Sequence, residues 1–166
     1  ERYLQKINEV EINNTVNWRQ EHWKSIRLNY SGAPHFKDFS ERISEIYSAD
    51  WRLLSDLNVK TVNVIMESLG IKKKTHFSSA MDIKTEKTQR IIDICKKLNA
   101  DSYLSGAGGR DYMDETLFEK NGIKLTYQQF KHPVYKQNYY GFEPYMSAID
   151  FLFNMGSDLE FDVNAD

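Results

Sequence analysis

The chain has 166 residues, a net charge of −2, 40% hydrophobic and 28% charged residues, the proportions of an ordinary globular domain able to bury about two thirds of its unfolded surface. Ten Tyr, nine Phe and three Trp exclude a disordered chain, and no apolar run reaches the ~18–20 residues that span a bilayer. Charges of both signs are mixed, and the largest basic cluster is Lys72, Lys73 and Lys74; that argues against a basic nucleic-acid face.

The length suits one domain over residues 1–166, with 157–166 expected as a frayed acidic tail. Residues 3–12 alternate weakly, with Ile7, Val10 and Ile12 apolar, and predict a strand or strand pair. Asn17 then offers an N-cap, with Gln20 as its capping-box partner. Trp18, His22, Ile26 and Tyr30, joined by Trp23, put heavy aromatics on one face of the helix that follows. Gly32 and Pro34 stop it. Helices are predicted over 36–47 and 50–69, the latter ended by Gly70, and a short strand over 75–78. An amphipathic helix over 85–98 carries Ile91, Ile92, Cys95 and Leu98 on one side, which makes Cys95 a buried structural thiol. A single cysteine forms no internal disulfide and fits a reducing, cytoplasmic compartment. A strand over 102–105 leads into a glycine loop; a helix over 114–121, a strand over 123–130 and a helix over 144–155 complete the chain. Strands separated by helices predict an α/β fold, three-layered, with a short, mostly parallel sheet flanked by helices. The pattern allows for a missing first βα unit.

The glycine loop Ser105-Gly106-Ala107-Gly108-Gly109-Arg110-Asp111-Tyr112 is the most informative segment. It leaves a strand end, where open α/β sheets hold their ligands. Glycines let backbone N–H groups approach an anion, Arg110 offers a bidentate fork, and Asp111 can orient an amine or hydroxyl. The alternative is a tight structural turn. The spacing matches neither the dinucleotide fingerprint nor a P-loop, and no cofactor is assigned. His132-Pro133-Val134-Tyr135-Lys136-Gln137 follows the last predicted strand. His132 could move a proton near neutral pH, and Tyr135 and Gln137 could hydrogen-bond a polar ligand. The two segments are expected to form one small-molecule site. Asp150 and Asn154 share a face of the last helix, either capping within the fold or pointing into the site. Tyr139, Tyr140, Gly141 and Phe142 could form a lid or a partner-binding patch. The four histidines lie far apart, so no metal is expected.

Several strings, in order, resemble the WbqC-like family of bacteria: Trp18-x-x-x-His22; Tyr30-x-x-Ala33-Pro34-x-Phe36; Tyr103-Leu-Ser-Gly106-x-Gly108-x-Arg110-x-Tyr112; His132-Pro-x-Tyr-x-Gln137; and Asp150-x-x-Phe153-Asn154-x-Gly156. The resemblance implies a link to O-antigen and other surface-polysaccharide synthesis, and a transferase moving glycine or an acyl group onto an amino sugar. It implies a small-molecule substrate, a nucleotide-sugar or amino sugar. In that picture His132 and Arg110 are the catalytic pair. Ser105, Gly106, Gly108, Gly109, Asp111, Tyr112, Tyr135, Gln137 and His22 bind substrate. The alternative is a non-catalytic module that binds a nucleotide-sugar or a partner. Family members usually begin with a further stretch rich in His, Gln, Pro, Tyr and Trp, to which nothing here corresponds. This chain is therefore expected to hold the C-terminal two thirds of the family's length.

Overall fold

A computed structural model describes residues 4–158. In chain order the regular elements are α1 (Trp18–Tyr30), α2 (Phe36–Ser48), α3 (Leu54–Ser68), α4 (Lys87–Lys97), β1 (Ser102–Ser105), α5 (Glu115–Lys120), β2 (Lys124–Tyr127) and α6 (Ala148–Met155). Short 3-10 turns occupy Ile7–Glu9, Ser78–Ala80 and Ala107–Asp111. The chain divides into two compact units, one of Glu1–Lys73 with His132–Asp166, the other of Lys74–Lys131.

The first unit is helical. Its α2 packs on α1, α3 and α6, because Ile43 and Ile46 place branched carbons at helical spacing on one face. They join Ala33, Val64 and Phe153 in the core. Aromatic rings extend it: Phe36 and Tyr30 lie 5.0 and 5.4 Å from Phe153, and Trp23 stacks on Phe36 and Tyr47. At the start of α1, Asn17 does not cap the backbone; its amide donates instead to the Gln20 side chain at 2.6 Å. The end of α3 follows expectation. Gly70 takes φ +68°, and the Ile71 amide reaches back to the Met66 carbonyl at 2.8 Å, a helix stop that favours glycine.

The strand predicted over 3–12 shrinks to one antiparallel bridge, Glu11 to Leu53. The amide of Ile12 bonds the Arg52 carbonyl and that of Leu54 bonds the Val10 carbonyl, both at 2.9 Å. That pairing delays α3 to Leu54 rather than residue 50. Ile7 is exposed within a 3-10 turn, and the Tyr3 end of the prediction lies outside the described residues. A strand needs a neighbour to satisfy its backbone groups, and the weak alternation found only three residues' worth. Residues 159–166 of the expected tail also lie outside the described residues.

The second unit is α/β. Strands β1 and β2 run parallel, from Ser102 opposite Lys124 to Ser105 opposite Tyr127, and the connection between them carries α5. Ile92 and Cys95 of α4, Met113, Phe118 of α5 and Ile123 make its core. Burial raises the Cys95 thiol above its ordinary value. Phe118 and Ile92 are wholly buried, each contributing roughly 1.5–3 kcal/mol of apolar transfer. Asp114 caps α5, its carboxylate accepting from the Leu117 amide at 3.2 Å and the Thr116 hydroxyl at 2.7 Å. These bonds hold its carboxyl below the ordinary range. A short parallel sheet flanked by helices is thus present, as the sequence predicts. The strand expected over 75–78 is not. Residues 72–77 are exposed and pair with no strand, since lysines on one side and a 3-10 turn on the other leave nothing to bury. Among the described residues no helix is long and apolar enough to cross a membrane.

Candidate functional site

The predicted site residues fall in both units: the glycine loop in the second, His132, Tyr135, Gln137 and His22 in the first. The loop leaves β1 at Ser105 and closes at once into the 3-10 turn Ala107–Asp111. The Gly109 amide donates to the Gly106 carbonyl at 3.0 Å, and the Met113 amide donates to the Gly109 carbonyl at 3.0 Å. Ser105 is buried, its hydroxyl bonded to the Gly106 carbonyl at 3.0 Å. Ser105 and Gly109 therefore shape the turn itself. A Cβ on Gly109 would lie 2.1 Å from the Ser105 Oγ, whereas Gly106 and Gly108 face open space. Arg110, Asp111 and Tyr112 are exposed. The Arg110 guanidinium sits 4.8 Å over the Tyr127 ring, and the Tyr127 hydroxyl donates to Glu115 at 2.8 Å. Partial burial and that bond raise the Tyr127 hydroxyl above its ordinary value. This stacking holds a cation on the Tyr127 ring, from a residue two positions after Gly108 in the turn.

In the first unit His132 is half-buried, with its ring 6.2, 5.8 and 5.0 Å from those of Tyr135, Phe142 and Tyr145. Its Nδ1 lies 2.7 Å from the Pro133 carbonyl, which only accepts. Nδ1 therefore carries a proton, and in the neutral ring the basic lone pair is at Nε2.

A buried polar cluster is centred on Asp150, in the first turn of α6. Its side chain is buried, with the residue 4% exposed. Oδ2 accepts from the Tyr135 hydroxyl at 2.8 Å and the Gln137 amide at 3.0 Å, and the Tyr30 hydroxyl lies against the same carboxylate. Burial, then the negative charge of Asp150, pushes Tyr30 up to about 12. Burial, then the hydrogen bond to Asp150, pushes Tyr135 to about 12 as well. Both remain protonated donors at neutral pH. Gln137 also closes the loop that follows: its Nε2 donates to the Glu143 carbonyl at 2.9 Å and its Oε1 accepts from the Glu143 amide at 2.8 Å. Asn154 donates to the Asp150 carbonyl at 2.8 Å, while its buried Oδ1 has no partner among the described residues.

Beside this cluster opens a cleft of about 570 Å³, within the range of small-molecule sites. Asp150, Tyr30 and Gln137 line it. So do Asn29 and Asn138, whose side chains lie at its edge, the aromatics Tyr139, Tyr140 and Phe142, and Glu143. The Asn138 amide donates to the Asn29 carbonyl at 2.8 Å, pinning the 137–143 loop to the end of α1. Tyr140 is fully exposed and Gly141 beside it takes φ +91°, so the loop tip presents an unpacked aromatic ring.

Tyr135 and Gln137 both bond the Asp150 carboxylate, and Gln137 also lines the cleft. His132 packs next to them but does not line the cleft. His22 is exposed on α1, edge-on to Trp18 at 5.6 Å and Tyr47 at 6.1 Å; it too lies outside the cleft lining. Asp150 does both things the sequence allowed: its carboxylate ties down Tyr135 and Gln137 of the preceding loop, and it lines the cleft. Tyr30 was read as part of an aromatic helix stripe. The only local signal for its place beside Asp150 is its position in the last turn of α1, one residue after Asn29 and two before Gly32. Among the described residues no three His, Cys, Asp or Glu side chains gather as a metal site.

Three of the strings that carry the family resemblance, around Tyr30, Tyr135–Gln137 and Asp150–Asn154, meet at this one carboxylate. The model of the WbqC-like protein family matches residues 1–160. The chain is also similar to the uncharacterized protein Rv1507c of Mycobacterium tuberculosis, at 35% identity over 159 residues, covering 95% of this chain and 68% of that one. No solved structure matches it. The chain belongs to the WbqC-like protein family.

Proposed function

We propose that the protein is a cytoplasmic transferase of bacterial O-antigen or surface-polysaccharide synthesis, moving glycine or an acyl group onto an amino sugar bound in the Asp150 cleft. The observation that carries this reading is the buried carboxylate, ringed by tyrosine hydroxyls and amides, beside a cleft walled by aromatic rings. Directional donors and acceptors suit sugar hydroxyls, and flat rings cover the apolar faces of a pyranose. The reaction class is what the resemblance to the WbqC-like family implies. In this reading Tyr135 and Gln137 position the acceptor, and Tyr139 and Tyr140 cover it. His132, with its lone pair at Nε2, takes the proton of the attacking hydroxyl or amine. In the other unit Arg110, with Gly106, Gly108, Asp111 and Tyr112, holds an anionic group such as the phosphates of a nucleotide-sugar.

A second reading, a non-catalytic module that binds a nucleotide-sugar or a partner, is favoured by one observation. His132 is packed among three rings and is absent from the cleft wall. A thermal-shift panel of UDP-, dTDP- and GDP-sugars, free amino sugars and glycine separates the readings. A ligand at 100 times its Kd adds about 2.7 kcal/mol, or roughly 5–10 °C for a chain of this size. The transferase reading expects a shift lost in Asp150→Asn, and turnover lost in His132→Ala. Binding without turnover across all donor pairs selects the module. No shift with any sugar removes the cleft from both readings.

A further inference from the structure

A carboxylate taken out of water keeps its full charge unless a cation, a proton or a ligand offsets it. Among the described residues, the side chains that hydrogen-bond the Asp150 carboxylate are all neutral: Tyr135, Gln137 and Tyr30. They satisfy lone pairs and bring no positive charge to the carboxylate. The ion pairs among the described residues are Arg19 with Asp50, His35 with Asp38, Arg52 with Glu11 and Lys84 with Asp82; none involves Asp150. The first turn of α6 contributes a partial positive charge, which offsets a fraction of a unit. A second acidic residue, Glu143, also lines the cleft, and among the described residues no Lys or Arg does.

We infer that the cleft recognises its ligand by positive charge, with Asp150 as the seat of a primary ammonium group and Glu143 adding to its attraction at the cleft wall. The inference rests on the sugar-binding reading above and narrows it. An ammonium brings the missing cation together with three N–H donors, matching an acceptor-only carboxylate at the wall of a cleft. A phosphate or uronic acid meets two like charges there and is rejected. The assignment also bears on chemistry. A nitrogen held as a cation has no lone pair to attack with, so the group at Asp150 is a handle, and the atom that receives the transferred group is a hydroxyl elsewhere on the same ligand.

Glucosamine, glucose and N-acetylglucosamine share a ring and differ at one substituent: a cation, a neutral hydroxyl and a neutral amide. Titrating each into the full chain by ligand-observed NMR tests the inference directly. The expected result is glucosamine binding about tenfold or more tighter than the other two, with the preference abolished in Asp150→Asn and reduced a few-fold in Glu143→Gln. The second variant changes an exposed side chain, so it reports on charge even if Asp150→Asn fails to fold. Equal affinity for all three sugars overturns charge recognition and leaves the cleft as a sugar site. A preference for glucosamine that survives both variants places the ammonium elsewhere and overturns the inference. Binding of none of the three overturns the inference and the sugar-binding reading together.

Discussion

Among the glycines of the loop, space divides the roles. Gly109 is buried against Ser105 and Met113, and a Cβ there would meet the Ser105 Oγ at 2.1 Å and the Met113 Cε at 3.2 Å. The Ser105 hydroxyl could rotate away only by leaving its bond to the Gly106 carbonyl, and Ser105 itself is buried at the end of β1. Gly109→Ala is therefore expected to cost about 1–3 kcal/mol, in the manner of an overpacked core. Gly108→Ala, with open space around it, should fall within about 0.5 kcal/mol of the parent. Urea unfolding of the two variants makes the comparison, and equal costs would show that the turn does not depend on the missing side chain. The Asp150 cluster sets a different expectation at high pH. Tyr30 and Tyr135 hold their protons to about 12 in the fold against 10.0 without it. The stability this provides is complete below pH 10, where tyrosines of the unfolded chain are still protonated. It is lost as pH rises through about 12, because the unfolded chain ionises first. Tyr135→Phe removes one of the two groups. Its urea midpoint should start lower at neutral pH, where Asp150 loses a donor, and should fall less steeply between pH 10 and 12. A slope equal to the parent's would mean that the tyrosine proton is not held by this cluster.

At the scale of elements, what could be read from the sequence follows from how local each signal is. Helices α1, α2, α4 and α5 sit within two or three residues of their predicted bounds, since periodic apolar residues and stops such as Gly122 act over a few residues. Strand β1 matches its predicted limits, and β2 lies inside its own. The failures at 3–12 and 75–78 have one cause. Strand propensity can be read from the residues, but a strand needs a partner, and the partner is not local. The same reasoning sorts the site. Tyr135 and Gln137 stood out as polar groups after a strand, and Asp150 with Asn154 as polar residues at helical spacing in an apolar helix. Tyr30 did not stand out, because an aromatic at helical spacing reads as core, and it does pack on Phe153. Its hydroxyl acquires a role only when α6 brings Asp150 alongside. The cleft itself was out of reach for the same reason: Asn138 meets Asn29 across 109 residues of chain. The loop motif is compatible with two roles. Glycines that allow close approach to a ligand also allow a chain to close on itself, and the bonds within the turn show that Gly109 serves the latter.

On the scale of the whole chain, each unit carries its own hydrophobic core, and the two share no residue. Phe153, Ile43, Ile46 and Val64 lie at the centre of one; Phe118, Ile92, Cys95 and Ile123 at the centre of the other. Phe118 is 1% exposed and stacks on Tyr103 at 5.8 Å, so Phe118→Ala should cost about 3–5 kcal/mol. A unit as small as residues 74–131 buries a modest fraction of its surface and has few kcal/mol to lose. Hydrogen exchange followed by mass spectrometry then distinguishes one cooperative structure from two. If the units unfold separately, Phe118→Ala strips protection from peptides containing Ile92, Phe118 and Ile123 and leaves those containing Ile43, Val64 and Phe153 as in the parent. We expect that result, because no core residue is common to both clusters. It has a functional corollary: the sugar binding proposed for the Asp150 cleft should persist in Phe118→Ala, since every residue lining it belongs to the first unit. Loss of protection in both sets of peptides would mean instead that folding couples the units. A substitution in the second core would then abolish binding at Asp150 without touching any residue of the cleft.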